Sequence, residues 1–207
     1  MSLVLDIHNE SPQARLIAQA VAIVRHGGLI IYPTDSCYAL GCHIGDKGAL
    51  DRISRIRQVD REHDFTLVCR DLSEIALYAQ VDNPSYRLLR NLTPGPYTFI
   101  LKATREVPRR LQNPKRKTIG VRIPQHNIVA ALLESLGEPI MSSTLHLPKD
   151  DLPVTDVAAI TPSLAKQVDL IIDGGHCGVE PTTVLDLTTE HPTVVRQGKG
   201  ETAFLTE

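Results

Sequence analysis

Apolar residues recur at helical spacing in a few stretches of this 207-residue chain. Leu16, Ile17, Ala20, Val21 and Val24 follow Ser11-Pro12 and stop at Gly27-Gly28, which predicts an amphipathic helix capped by Ser11 and closed by glycine. Leu50, Ile53 and Ile56 predict a second helix over 48–57. A third is predicted over 127–136, with Asn127 as cap and Gly137 as stop. Short β-branched runs edged by Gly or Pro predict strands at 29–32, 66–69, 97–101, 119–123, 139–142, 170–173, 183–187 and 193–196. A polar loop, PTDSCYALG, follows the first strand. Early strands alternate with helices and late ones crowd together, so the pattern predicts an α/β fold on a mixed parallel and antiparallel sheet. The Pro- and Asp-rich stretch 147–161 has no period and reads as a loop beside the site.

In open α/β sheets, ligands bind beyond the carboxyl ends of strands. Polar clusters stand there after several predicted strands: Thr34, Asp35, Ser36 and Tyr38; Arg122; Ser142, Ser143, Thr144 and His146; and Arg196 before Gly198. Hydroxyls can orient an amine and a carboxylate, and an arginine fork matches phosphate oxygens. Each cluster taken alone is also what turn capping or a surface ion pair would produce.

Composition narrows the classes. A hydrophobic fraction of 42% and a charged fraction of 22% describe an ordinary globular chain, long enough for one domain, here expected over 11–200. No apolar run reaches the ~20 residues that span a bilayer, and no basic-then-apolar leader opens the sequence, so a cytoplasmic protein is expected. The four cysteines lack Cys-x-x-Cys spacing and the eight histidines lack metal-ligand spacing, so reduced thiols and no metal site are expected. Cys37 reads as a small lining residue. Net charge is only −2, yet residues 102–122 hold eight of the 22 Lys and Arg against one acid, Glu106. Residues 147–190 hold eight acids against two lysines. Such asymmetry suits a phosphate-bearing ligand, although a solvated basic loop gives the same pattern. Walker-type, G-x-G-x-x-G and G-x-S-x-G motifs are all missing, which removes support for the usual nucleotide-loop, dinucleotide and hydrolase readings.

Five segments in order, IIYPTDSCYALG (30–41), TPGPYTFIL (93–101), TIGVRIP (118–124), PIMSSTLHLP (139–148) and TTVLDL (182–187) with VVRQG (194–198), resemble the successive motifs of the YrdC/YciO family. The resemblance covers residues 11–200, nearly the whole chain. It implies a YrdC-like fold, a twisted mixed sheet with flanking helices and a basic concave face. It also implies synthesis of threonylcarbamoyl-AMP from L-threonine, bicarbonate and ATP, with Mg²⁺ on the departing pyrophosphate and no tightly bound cofactor. The product would feed threonylcarbamoyladenosine formation on tRNA.

Carried over position by position, the resemblance assigns threonine contacts to Thr34, Tyr38, Arg122 and Ser142, and to Thr182 or Thr183. It assigns nucleotide contacts to Arg55, Arg57, Thr118, Thr144, His146 and Arg196, with Arg57 and Arg196 as a charged catalytic clamp. Two positions depart from the synthase pattern. Arg55-Ile56-Arg57 stands for Lys-x-Arg, and Thr144-Leu145-His146 for Ser-x-Asn, which implies the YciO branch and a weakened reaction. The second function class is a non-catalytic protein that binds a nucleotide, double-stranded RNA or tRNA through Arg109, Arg110, Lys115 and Arg116. An aromatic content of 4% favours structured RNA over stacking on single strands.

Overall fold

The computed structural model describes residues 2–59, 65–148, 150–160 and 162–205. In chain order the elements are β1 (Leu3–Asp6), α1 (Ala14–Arg25), β2 (Ile30–Tyr32), β3 (Ala39–His43), α2 (Lys47–Arg57), β4 (Thr66–Val68), α3 (Leu72–Tyr78), α4 (Asn83–Leu92), β5 (Tyr97–Lys102) and β6 (Thr118–Arg122). There follow α5 (Asn127–Leu136), β7 (Ile140–Thr144), α6 (Pro162–Ala165), β8 (Leu170–Asp173), β9 (Thr183–Asp186) and β10 (Thr193–Arg196). The strands form a ten-stranded sheet in the order β1-β8-β2-β3-β7-β4-β6-β5-β9-β10. Pairs β1/β8, β2/β8, β4/β6 and β5/β9 are parallel, and the remaining pairs are antiparallel, so the sheet is mixed as its crowded late strands imply.

The sequence pattern leaves out five elements, one of them the four-residue α6. β1 precedes residue 11 and pairs with β8 as an edge strand. β3 lies inside the stretch read as a polar loop, because Ala39, Leu40, Gly41 and Cys42 are buried between β2 and β7. α3 and α4 are short, and each opens on an aspartate whose side chain accepts a main-chain N–H three residues on: Asp71 from Glu74 and Asp82 from Ser85. Two caps also differ from expectation. Gln13 rather than Ser11 precedes α1, with no side-chain cap bond, and His126 rather than Asn127 precedes α5. Gly27 and Gly137 do stop these helices, at φ of 80° and 77°. In the Pro- and Asp-rich stretch, Val157–Ala159 forms a 3₁₀ turn, and residues 149 and 161 lie outside the described residues.

Side-chain alternation divides the sheet into two faces. Ile31, Leu40, Cys42, Leu67, Phe99, Leu101, Ile119, Val121, Met141 and Leu185 face α2, α3 and α4 in the larger core. Ile30, Tyr32, Ala39, Val68, Ile140, Leu170 and Ile172 face α1 and α5 in the smaller one. On this second face the apolar cover ends at β4. By the same alternation and the paired registers, the next positions on it are Ser142, Thr66, Gly120, Thr98 and Val184. That half of the face is small and polar because no helix packs on it.

Phe99 is fully buried and stacks on Tyr97 with ring centroids 6.2 Å apart. Phe99→Ala is expected to cost about 3–5 kcal/mol of unfolding free energy. Val194→Ala, on the exposed β10, should change it by less than about 0.5 kcal/mol. Urea denaturation of the two variants side by side checks whether the core lies where the alternation puts it.

Candidate functional site

A cleft of about 630 Å³ occupies the uncovered half of the sheet. Its floor is Thr66, Thr98, Ile100, Gly120 and Ser142, and Gly120 has to be small, since a Cβ there would lie 2.8 Å from Thr66 Oγ1. Its walls come from the β2–β3 loop (Thr34, Ser36, Cys37), the end of α2 (Arg57), the end of β7 and its following loop (Ser143, Thr144, His146, Asp151, Leu152, Pro153) and the β9–β10 end (Pro181, Thr182, Val195, Arg196). A volume of this order suits a nucleotide with a small second substrate.

The loop after β2 is held by its own hydroxyls. Thr34 Oγ1 donates to the carbonyl of Cys37 at 2.6 Å and accepts the N–H groups of Ser36 and Cys37. Arg122, at the end of β6, forms a buried ion pair with Asp35 and lies 3.4 Å from Ser36 Oγ. Its Nε is buried without an acceptor among the described residues. Ser142 Oγ shares a 2.7 Å hydrogen bond with the hydroxyl of Tyr32, whose pKa burial pushes up to about 12, so the phenol stays neutral. Thr182 Oγ1 bonds Thr98 Oγ1 at 2.9 Å and lines the cleft. Thr183 faces away and donates to the carbonyl of Gly200, which settles the choice between the two threonines in favour of Thr182 as the lining residue.

Two cations face the cleft without a carboxylate partner among the described residues. Arg57 Nε donates to Ser143 Oγ at 3.3 Å, and Arg196 donates to the carbonyl of Thr182 at 2.9 Å and to its hydroxyl at 3.3 Å. Burial lowers the pKa of both guanidinium groups, and Arg196 lowers that of Arg57 further, as expected of like charges held close. Cys37 also lines the cleft. Burial pushes its thiol up to about 11 despite three neighbouring cations, so it is a wall and not a nucleophile. Among the described residues no group of three or more His, Cys, Asp or Glu is placed to hold a metal ion.

The structure therefore brings Thr34, Arg57, Arg122, Ser142, Thr144, His146, Thr182 and Arg196 into one cleft. It does not bring the rest. Tyr38 is fully buried, and its hydroxyl donates to the carbonyl of Gly175 at 2.7 Å, tying the end of β8 rather than meeting a ligand. Arg55 projects to the other side of α2, where it borders a separate groove of about 290 Å³ with Arg52 and Lys166. The one-residue gap between Arg55 and Arg57 makes this unavoidable, because i and i+2 do not share a helix face. Thr118 is buried on β6, short of the cleft wall. Arg109, Arg110, Lys115 and Arg116 lie outside the cleft; Arg110 donates to the carbonyl of Gly45, and Arg116 pairs with Asp186. Asp186 is two residues past Val184 on β9, so this basic segment adjoins the open face.

Sequence reasoning missed Thr66, Thr98 and Gly120 as floor residues. The available signal was polar or small residues at alternate positions of otherwise apolar strands. It also left Asp35 without a role.

The comparisons agree with this geometry. The family model Sua5/YciO/YrdC, described as telomere recombination, matches residues 22–198. The crystal structure of Escherichia coli YciO superposes with a TM-score of 0.94 at 59% identity, covering 97% of this chain and 98% of that one. A threonylcarbamoyl-AMP synthase of Thiobacillus denitrificans is 31% identical over 81% of this chain and 89% of its own length. Pyrococcus abyssi Sua5 complexed with L-threonine superposes with a TM-score of 0.87 at 25% identity, over 95% of this chain but only 58% of that protein. With the family model matched over residues 22–198 and a relative 59% identical over 97% of the chain, the chain belongs to the Sua5/YciO/YrdC family.

Proposed function

We propose that the cleft condenses L-threonine, bicarbonate-derived carbon dioxide and ATP into threonylcarbamoyl-AMP and pyrophosphate, at a rate below that of an intact-motif synthase. The observation that carries this reading is the pair Arg57 and Arg196, two cations without a carboxylate partner among the described residues, in a hydroxyl-lined cleft. Kinship with synthases and with a Sua5 complexed with L-threonine supports it.

The chemistry asks little of acid–base groups. The neutral amine of threonine adds to carbon dioxide and loses a proton, giving a carbamate anion. A carbamate oxygen then forms a bond to the α-phosphorus of ATP as the bond to the pyrophosphate oxygen breaks. Arg57 and Arg196 offset the charge that develops on the phosphoryl oxygens, and Arg122 with Ser142 holds the amino acid in line. Mg²⁺ enters with ATP as its chelate and supplies charge on the leaving pyrophosphate.

His146 explains a reduced rate. Its Nε2–H donates to the carbonyl of Asp150 at 2.7 Å, so that nitrogen is spent on its own loop. The amide of an asparagine offers a donor and an acceptor together, which the imidazole cannot present to a ribose or phosphate. A second reading, a nucleotide- or RNA-binding protein without the reaction, is favoured by the basic segment that adjoins the open face.

Pyrophosphate release that requires both threonine and bicarbonate separates the two. Arg57→Ala or Arg196→Ala should lower kcat/KM about 10²–10³-fold. Thr144→Ser with His146→Asn should raise it about 5- to 100-fold, the equivalent of about 1–3 kcal/mol of recovered hydrogen bonding. Adding Arg55→Lys should change it by less than about twofold, because Arg55 stands outside the cleft. For the second reading, Arg109→Gln with Lys115→Gln should flatten the salt dependence of double-stranded RNA binding by about two in log–log slope. No change in slope would remove that segment from RNA contact.

A further inference from the structure

Three guanidinium groups, those of Arg57, Arg122 and Arg196, line the cleft. Their partners differ in kind. Arg57 and Arg196 touch hydroxyls and a main-chain oxygen, which leave their charge intact. Arg122 is ion-paired to Asp35, with both side chains only 9% exposed. The other oxygen of Asp35 accepts the N–H of Gln125 at 2.9 Å, so the carboxylate is fixed from two sides. Lys199 donates to the main-chain oxygen of Asp35 at 2.5 Å, but it is exposed, and solvent screens it.

We propose that Asp35 sets the register of ligands in the cleft: by neutralising Arg122 it closes that end to polyphosphate and leaves it fit for a single carboxylate. This goes beyond the proposed reaction and rests on it only in naming the amino acid as the occupant.

The pairing offsets the charge of Arg122 locally, though its field still reaches Arg196, and it does not use up the donors of Arg122. A guanidinium has five N–H donors; one meets Asp35, one faces Ser36 at long range, and Nε is buried with no acceptor among the described residues. Such a group can still hydrogen-bond a monoanionic carboxylate, while a multiply charged phosphate gains little from it and is repelled by the carboxylate of Asp35. Arg57 and Arg196 have no such carboxylate among the described residues and bond only to Ser143 and Thr182. The cleft is therefore polarised, cationic where the phosphates lie and neutral where the amino acid lies. Without Asp35, three charged guanidinium groups would accept a polyphosphate in either register, and misplaced pyrophosphate would exclude the amino acid. Asp35 acts through Arg122 as a positioning residue.

Titration calorimetry with inorganic pyrophosphate tests this. One pyrophosphate is expected per wild-type chain, with no competition against L-threonine. Asp35→Asn should bind a second that does compete, and its threonine affinity should fall about 10-fold or more. Asp35→Glu, which keeps the charge, should return both readouts to within about threefold of wild type. Because an unpaired buried Arg122 can itself unfold the chain, Asp35→Asn with Arg122→Gln is titrated in parallel and should bind one pyrophosphate and no threonine. The proposal is overturned if the wild type binds two, if wild-type pyrophosphate displaces threonine, if folded Asp35→Asn still binds one, or if the double variant binds two. A wild type that binds pyrophosphate but no threonine would instead sink the amino-acid reading, and the pyrophosphate count would still decide what Asp35 does.

Discussion

Two helices cannot cover ten strands. At ~4.8 Å between neighbours the sheet is about 43 Å across, and α1 and α5, at ~10 Å each, reach under half of it. On the opposite face α2, α3 and α4 pack over the middle of the sheet, and the strands there carry the larger apolar cluster. On the α1/α5 face the cover stops at β4, and everything that distinguishes the molecule chemically follows from that shortfall. A sheet face left to water is seldom lined with Val and Leu throughout, so Ser, Thr and Gly stand there beside Ile100 and Val184, and the cleft is the place where the second layer is missing.

Much of this was legible in the chain because two periodicities govern it. Leu16, Ile17, Ala20, Val21 and Val24 mark α1 by spacing alone, and the β-branched runs mark most of the strands. What stayed hidden had physical reasons. β3 is interrupted by glycine and begins two residues after a turn, so local composition outweighs its burial. α3 and α4 are held by aspartate caps and by packing rather than by a long apolar stripe. Of the site residues, those at strand ends fell together in the cleft, whereas Arg55 and Tyr38 did not. A motif fixes which residues are near in sequence, and the helix turn or the pleat then decides which of them share a side.

The energetics of the cleft divide along the same line. Its hydroxyls are paired among themselves, Thr34 with its own loop, Tyr32 with Ser142, Thr98 with Thr182, so the floor is satisfied without a ligand. Its guanidinium groups are not satisfied in the same sense. Arg57 and Arg196 have no counter-charge among the described residues, and a bound anion would stabilise the folded chain by supplying one.

The cleft floor also faces away from the larger core. Thr66, Thr98, Gly120, Ser142 and Thr144 project from strands whose opposite sides carry the larger hydrophobic cluster, although Gly120 is kept small by Thr66 and Ser142 is tied to the core residue Tyr32. A sheet with one uncovered half therefore puts the side chains that can meet a ligand and the larger core on opposite sides of the same strands.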